Sequence, residues 1–167
     1  MSLPQILFLF GLSLVLMSTV AFAAIILRDA LRAGSTAHVS GGMLIRLWRS
    51  PAKRAELDRW AFYVHRWTGF AIFAFLMLHL IDVSLFAVSP ALYDEVHELY
   101  GTTPMRLFEC GLLFAILFHA FNGLRVLAID LGDMGPTGSG RLLGVVIFAT
   151  AVLGLAGSVV IMAPVFA

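Results

Sequence analysis

The sequence predicts an all-α fold: an integral membrane helical bundle with four transmembrane helices. Three observations predict it. Of the 167 residues, 60% are hydrophobic, where a soluble domain holds roughly 45–50%. Only 13% are charged, about half the usual ~25%. The apolar residues also gather into runs of the ~20 residues needed to cross ~30 Å of hydrocarbon at ~1.5 Å per residue. The 15 glycines and six prolines are ordinary in number and exclude collagen-like or low-complexity chains. A net charge of +1 excludes a strongly electrostatic nucleic-acid binder, so no nucleic-acid partner is expected. The single cysteine, Cys110, excludes an internal disulfide framework, a four-cysteine zinc site and covalent c-type haem attachment.

The elements follow in chain order. Residues 1–27 carry no charge and form the first span. The motif Ala21-Phe22-Ala23 resembles a signal-peptide cleavage site, but no basic segment precedes the apolar run, so a retained helix is expected. A basic connection comes next. From Arg28 to Arg66 there are eight Lys/Arg against the acids Asp29, Glu56 and Asp58. Within it, Ser50-Pro51 reads as the start of a short helix running to Trp60. Residues 61–88 form the second span. Ser89-Pro90 then starts a short helix that Gly101 stops, and Leu92, Val96 and Leu99 give it an apolar face suited to lying flat on the membrane. Residues 105–129 form the third span and the charge-free 142–167 the fourth. From Ser89 to Glu109 there is one base, Arg106, against four acids. The excess of bases therefore places the first connection in the cytoplasm, the second outside, and both termini outside. With no Arg-rich transit segment ahead of the first helix, a bacterial plasma (inner) membrane is expected.

Ionisable groups inside membrane helices are costly, which makes them functional candidates. His38 and His97 fall in loops, whereas His65, His79 and His119 fall in the middle spans. His65 and His79 are 14 residues apart and share one helix face, ~21 Å apart in rise. His119 lies on the next, antiparallel helix, ~10 Å from His79 along the membrane normal, too far for the two to grip one iron. Gly123 and Gly69 follow His119 and His65 by four residues, giving a bulky macrocycle room to approach the backbone. Imidazole is a common axial ligand of haem. A hydrogen bond from His119 to a neighbouring helix, through Asn122, is the structural alternative. Arg66 and Arg125 suit haem propionates or a quinone head group, or else snorkel to lipid phosphate. Asp130 is placed to pair with Arg125. Asp82 is placed to orient His79, or is simply a solvated helix end. The basic connection suits anionic lipid heads or an acidic peripheral partner. No P-loop, dinucleotide fingerprint, zinc-protease or nucleophile motif occurs. No catalytic residue is expected, and the chain is not a complete enzyme.

His65-Arg66-Trp67-Thr68-Gly69 matches the H-R-x-[ST]-G signature of the cytochrome b membrane-anchor family of succinate dehydrogenase. His119-Ala120-Phe121-Asn122-Gly123-Leu124-Arg125, followed by Asp130, resembles that family's second signature, H-x-x-x-G-[IL]-R. Residues 75–90 resemble actinobacterial-type members in particular, and the likeness covers roughly residues 60–135 in order. It implies a haem b protein that pairs with a second small membrane anchor beneath an iron–sulfur subunit and a flavoprotein subunit. It also implies a quinone, menaquinone or ubiquinone, as substrate. His119 stands at the axial haem ligand position. His65 and Arg66 stand near the haem propionates and quinone pocket, Arg66 as the likelier quinone contact, and Thr68 follows the small hydroxyl position. His79 leaves the count at one haem or two, each needing an opposing histidine from the second anchor. Two departures stand out: Phe62 replaces a pocket serine, and residues 1–59 add a transmembrane helix and basic loop to a three-helix core over 60–167. The implied function is electron transfer from succinate to the quinone pool. The alternatives are a fumarate reductase anchor, the cytochrome b of a formate dehydrogenase or hydrogenase, and a non-redox membrane scaffold.

Overall fold

The computed structural model describes the backbone of residues 2–32, 51–132 and 136–166, and the side chains of residues 2–29, 57–132 and 138–166. Among the described residues there are five α-helices, α1 (Leu3–Arg32), α2 (Pro51–Val88), α3 (Pro90–His97), α4 (Thr103–Gly132) and α5 (Pro136–Met162), with a 3-10 turn at Glu98–Gly101 between α3 and α4 and another at Ala163–Val165 after α5. No strand occurs among the described residues. All six prolines occupy the first or second residue of a helical element. There the missing N–H has no helical acceptor to lose and the fixed φ is already helical. Before Pro90, Ser89 is extended (φ −161°, ψ 114°), and its carbonyl accepts the N–H groups of Leu92 and Tyr93.

Four helices are long and apolar enough to cross a membrane, over Leu3–Asp29, Leu57–Val88, Thr103–Gly132 and Gly138–Val165, in agreement with the four expected spans. Two local expectations are corrected. The segment from Pro51 to Trp60 is not a separate helix. It is the first turns of α2, which runs unbroken for 38 residues, because no glycine or proline interrupts it there. The helix α3 does not turn its apolar side to the membrane. Val96 is 1% exposed and packs with Phe8, Leu12, Leu78 and Met105, flanked by Leu99, Tyr100 and Phe108. Its apolar face closes one end of the bundle.

The helix α2 is central and touches α1, α3, α4 and α5. Along α1, Gln5 Nε2 donates to the Glu95 carbonyl of α3 at 2.9 Å, and Gly11 leaves room for Leu78. Further along, the Thr19 carbonyl accepts Trp67 Nε1 at 3.1 Å, and Phe22 packs on Phe70 with ring centroids 4.6 Å apart. The added N-terminal helix is therefore fastened to α2 and α3. On the other side, Gly154 and Gly157 of α5 face Phe114 and Leu113 of α4 with no space for a Cβ, which lets these two helices pack closely. Arg106 at the start of α4 donates to the Ile161 carbonyl at 2.8 Å, satisfying a carbonyl in the last turn of α5. Gln5, Glu95, Arg106 and Ile161 thus bring both ends of the described chain to the α3 end of the bundle, as an even number of spans requires.

Candidate functional site: a stacked histidine pair between two membrane helices

Where α2 meets α4, the rings of His65 and His119 stack with centroids 4.0 Å apart and planes 3° from parallel. This corrects the sequence expectation, which put His65 at the helix end and found no second histidine at the depth of His119. The stacking itself puts the two histidines at one level of the bundle. The two glycines serve the opposite helix, not the macrocycle space expected on their own. A Cβ on Gly69 would stand 2.7 Å from Cε1 of His119, and one on Gly123 3.5 Å from Cε1 of His65. Each missing side chain admits the other helix's imidazole.

His119 is oriented from α2. Its Nδ1 lies 3.1 Å from the His65 carbonyl oxygen and 3.4 Å from Thr68 Oγ1. A carbonyl can only accept, so Nδ1 carries the proton and donates. Nε2, which makes no hydrogen bond among the described residues, then bears the lone pair. Thr68, buried, lies with its hydroxyl 2.9 Å from the Val64 carbonyl and 3.0 Å from that of His65. His65 Nδ1 is buried with no partner among the described residues. A ring nitrogen freed by a backbone hydrogen bond on the other nitrogen is the usual second-layer arrangement of a metal-binding histidine. Stacking occupies a ring face and leaves the ring edge, where a metal binds, to Nε2. No group of three or more His, Cys, Asp or Glu that could hold a bare metal ion occurs among the described residues. A lone imidazole nitrogen of this kind suits a cofactor that brings most of the metal's donors itself.

Arg125 does not face this pair. It is 7% exposed and spends its donors on a clamp across three helices. Nε donates to the Ser139 carbonyl at 3.2 Å, one terminal nitrogen to Asn122 Oδ1 at 3.2 Å, and the other to Ser139 Oγ at 2.6 Å and to the Asp58 carboxylate. Ser139 Oγ in turn donates to Asp58 at 3.0 Å. The expected pairing with Asp130 is not made; that residue is exposed. Asn122 serves Arg125 rather than His119. Asp58 and Ser139 were missed from the sequence, although a signal existed. Asp58 is seven residues from His65 and Arg125 six from His119, in the same direction along antiparallel helices. Any register that levels the histidines also levels this ion pair.

Arg66 is exposed on α2, its guanidinium 5.6 Å from the Phe62 ring centre, where a cation is attracted by the ring face. His79 is also exposed, stacked on Phe75 with centroids 5.7 Å apart. It lies ten residues beyond Gly69, ~15 Å along the helix, so it shares no site with His119. Asp82 neither orients His79 nor meets solvent. It is 2% exposed and accepts the Tyr100 hydroxyl at 2.8 Å, which ties the 3-10 turn to α2. His38 and residues 33–50 of the basic connection lie outside the described residues.

Comparison with known proteins bears on this arrangement. Residues 46–157, which hold α2 to most of α5 and both histidines, match the model of the succinate dehydrogenase/fumarate reductase transmembrane subunit family. The chain is 42% identical over 83 residues to the succinate dehydrogenase 2 membrane subunit SdhC of Mycobacterium tuberculosis, covering 50% of this chain and 61% of that one. It is 34% identical over 74 residues to the succinate dehydrogenase hydrophobic membrane anchor subunit of Halobacterium salinarum, covering 44% of this chain and 57% of the other. The matched stretches thus span about six-tenths of these relatives' lengths, and α1 precedes the residues matched by the family model. With the signatures His65-Arg66-Trp67-Thr68-Gly69 and His119 to Arg125 facing each other across α2 and α4, the chain belongs to the succinate dehydrogenase/fumarate reductase transmembrane subunit family.

Proposed function

We propose that this chain is the membrane anchor of a succinate:quinone oxidoreductase, that His119 is an axial ligand of one haem b, and that the chain helps form the quinone site. The observation that carries the reading is the state of His119: Nδ1 is committed to the His65 carbonyl and Nε2 is left for a ligand. A haem b held by His119 would supply a one-electron store in a low-dielectric setting. A further protein ligand for that haem would come from another chain, the second small anchor, since His65 presents its ring face to His119 and His79 lies ~15 Å away.

The remaining residues have separate tasks. Arg66, exposed beside Phe62, offers charged N–H donors to a quinone carbonyl or a haem propionate, with His65 next to it. Thr68 faces His119, and Arg125 holds helices together through Asp58, Asn122 and Ser139 instead of meeting a propionate or a quinone. In the complex, succinate loses two electrons and two protons at the flavoprotein, the iron–sulfur protein passes the electrons on, and quinone takes up two electrons and two protons. The base-rich connection before α2 lies in the cytoplasm by the positive-inside rule, with both termini outside, and provides a docking surface for the iron–sulfur protein. The same parts serve a fumarate reductase, in which the electrons run the other way. A second haem, on His79, is the reading favoured by that ring's exposure on a face free to meet a partner.

Affinity purification of the chain from its native membrane tests the proposal. A flavoprotein, an iron–sulfur protein and a second small anchor should copurify in a red preparation that reduces quinone with succinate. A colourless preparation lacking them would instead mean a non-redox scaffold.

A further inference from the structure

We infer that Thr68 is a positioning residue for His119: with the His65 carbonyl it forms a two-acceptor socket on α2 that fixes the imidazole in one tautomer and one orientation. This rests on the reading of His119 as a haem ligand. It gives a task to Thr68, which the resemblance marked only as the small hydroxyl position of the signature beside His65 and Arg66.

Three neighbouring features build the socket. In a helix the His65 carbonyl is already the acceptor for the N–H four residues on, that of Gly69, yet it has a second lone pair. An incoming donor reaches that lone pair only if residue 69 carries no side chain, and a Cβ there would stand 2.7 Å from Cε1 of His119 and 3.2 Å from its Nδ1. Thr68 completes the arrangement. Its single hydroxyl proton has the shorter contact to the Val64 carbonyl, 2.9 Å against 3.0 Å to that of His65. With the proton turned towards Val64, the hydroxyl oxygen offers a lone pair to Nδ1 at 3.4 Å. A serine or threonine that back-bonds in this way turns an otherwise apolar helix face into an acceptor. The imidazole N–H thus meets two oxygens of α2, and rotation of the ring would abandon both. Acceptors on Nδ1–H raise the basicity of the ligating nitrogen, which favours ferric over ferrous iron.

The test compares Thr68→Val, Thr68→Ser and the control Thr19→Val in the purified native complex. Thr19 is another buried threonine, bonded through its hydroxyl to its own i−4 carbonyl at 2.8 Å and to neither histidine. The readouts are haem per chain, the rate of haem loss to an apo-haem scavenger, the haem midpoint potential and the low-temperature EPR g-values. Thr68→Val should move the potential upward, change the g-values and speed haem loss about tenfold, the low end of the range for outer-layer partners of metal ligands. Thr68→Ser should restore all three, and Thr19→Val should change none. If Thr68→Val keeps wild-type potential and g-values while His119→Ala loses the haem, the socket is refuted and the ligand assignment stands. Haem retained in His119→Ala would overturn both.

Discussion

The clamp at Arg125 gives the most demanding test of the packing. Removing the guanidinium by Arg125→Met would leave the Asp58 carboxylate, Asn122 Oδ1, Ser139 Oγ and the Ser139 carbonyl without their donor in a region where Arg125 itself is only 7% exposed. Breaking a buried pair from one side costs about 3–5 kcal/mol, because the partner charge stays behind. The Asp58 side chain retains 29% exposure, so water can partly solvate it once Arg125 is gone, whereas Asp58→Leu strands the buried guanidinium on Asn122 and Ser139 alone; each single variant should therefore cost about 3 kcal/mol. Removing both charges abolishes the orphan, and apolar replacements of buried pairs are often nearly neutral. The double variant should therefore be no less stable than Arg125→Met alone, with a coupling of about 2 kcal/mol or more in favour of the pair. Equilibrium unfolding in mixed detergent–lipid micelles, followed by loss of helical circular dichroism, measures all four corners. Costs that add to within about 0.5 kcal/mol would mean that Arg125 and Asp58 act independently, and the three-helix clamp would be wrong.

Other outcomes follow from the same contacts. Gly69→Ala should eject His119 from its seat and lower haem content, since overpacking of about 1–3 kcal/mol falls directly on the ring. Gly123→Ala meets His65 at an ordinary 3.5 Å and should keep its haem; loss in that variant alone would mean that Gly123 faces the macrocycle. Burial, followed by the hydrogen bond to Asp82 and that residue's charge, pushes the Tyr100 hydroxyl well above the usual tyrosine value. The neutral phenol is thus the form that folding favours. Its contribution is complete below about pH 10, the unfolded value, falls as pH rises above that, and is gone once pH has passed the higher folded value. In an ultraviolet titration Tyr100→Phe should remove an ionisation step well above the usual tyrosine value, while costing about 1–3 kcal/mol through the orphaned Asp82.

Much of the bundle was legible because its signals are local. Long apolar runs, free of charge in the first and fourth, marked the four spans, and a proline placed near each helix start is a steric statement that needs no tertiary knowledge. What misled was charge near a span end. The charges ahead of residue 61 set the expected start of the second span there, but Asp58 is paired with Arg125 within the bundle, and His65 stands level with His119. Periodicity has a similar blind spot. Leu92, Val96 and Leu99 do mark one face of a short helix, but the spacing is the same whether lipid or Leu78 covers it. Asp82 failed for the complementary reason: its partner, Tyr100, arrives through a turn that no helical spacing anticipates. At the site itself, the histidines and glycines were visible as same-helix pairs, whereas the contacts that matter run between helices and depend on the register of α2 against α4.

The central claim, that His119 carries haem, is tested most directly by counting haem b per chain in the purified native complex, alongside His119→Ala and His79→Ala. The account predicts one haem per chain, lost in His119→Ala and kept in His79→Ala. Two haems, each removed by one substitution, would make His79 a second ligand. A full complement of haem in His119→Ala, or none in the native complex, would contradict the account.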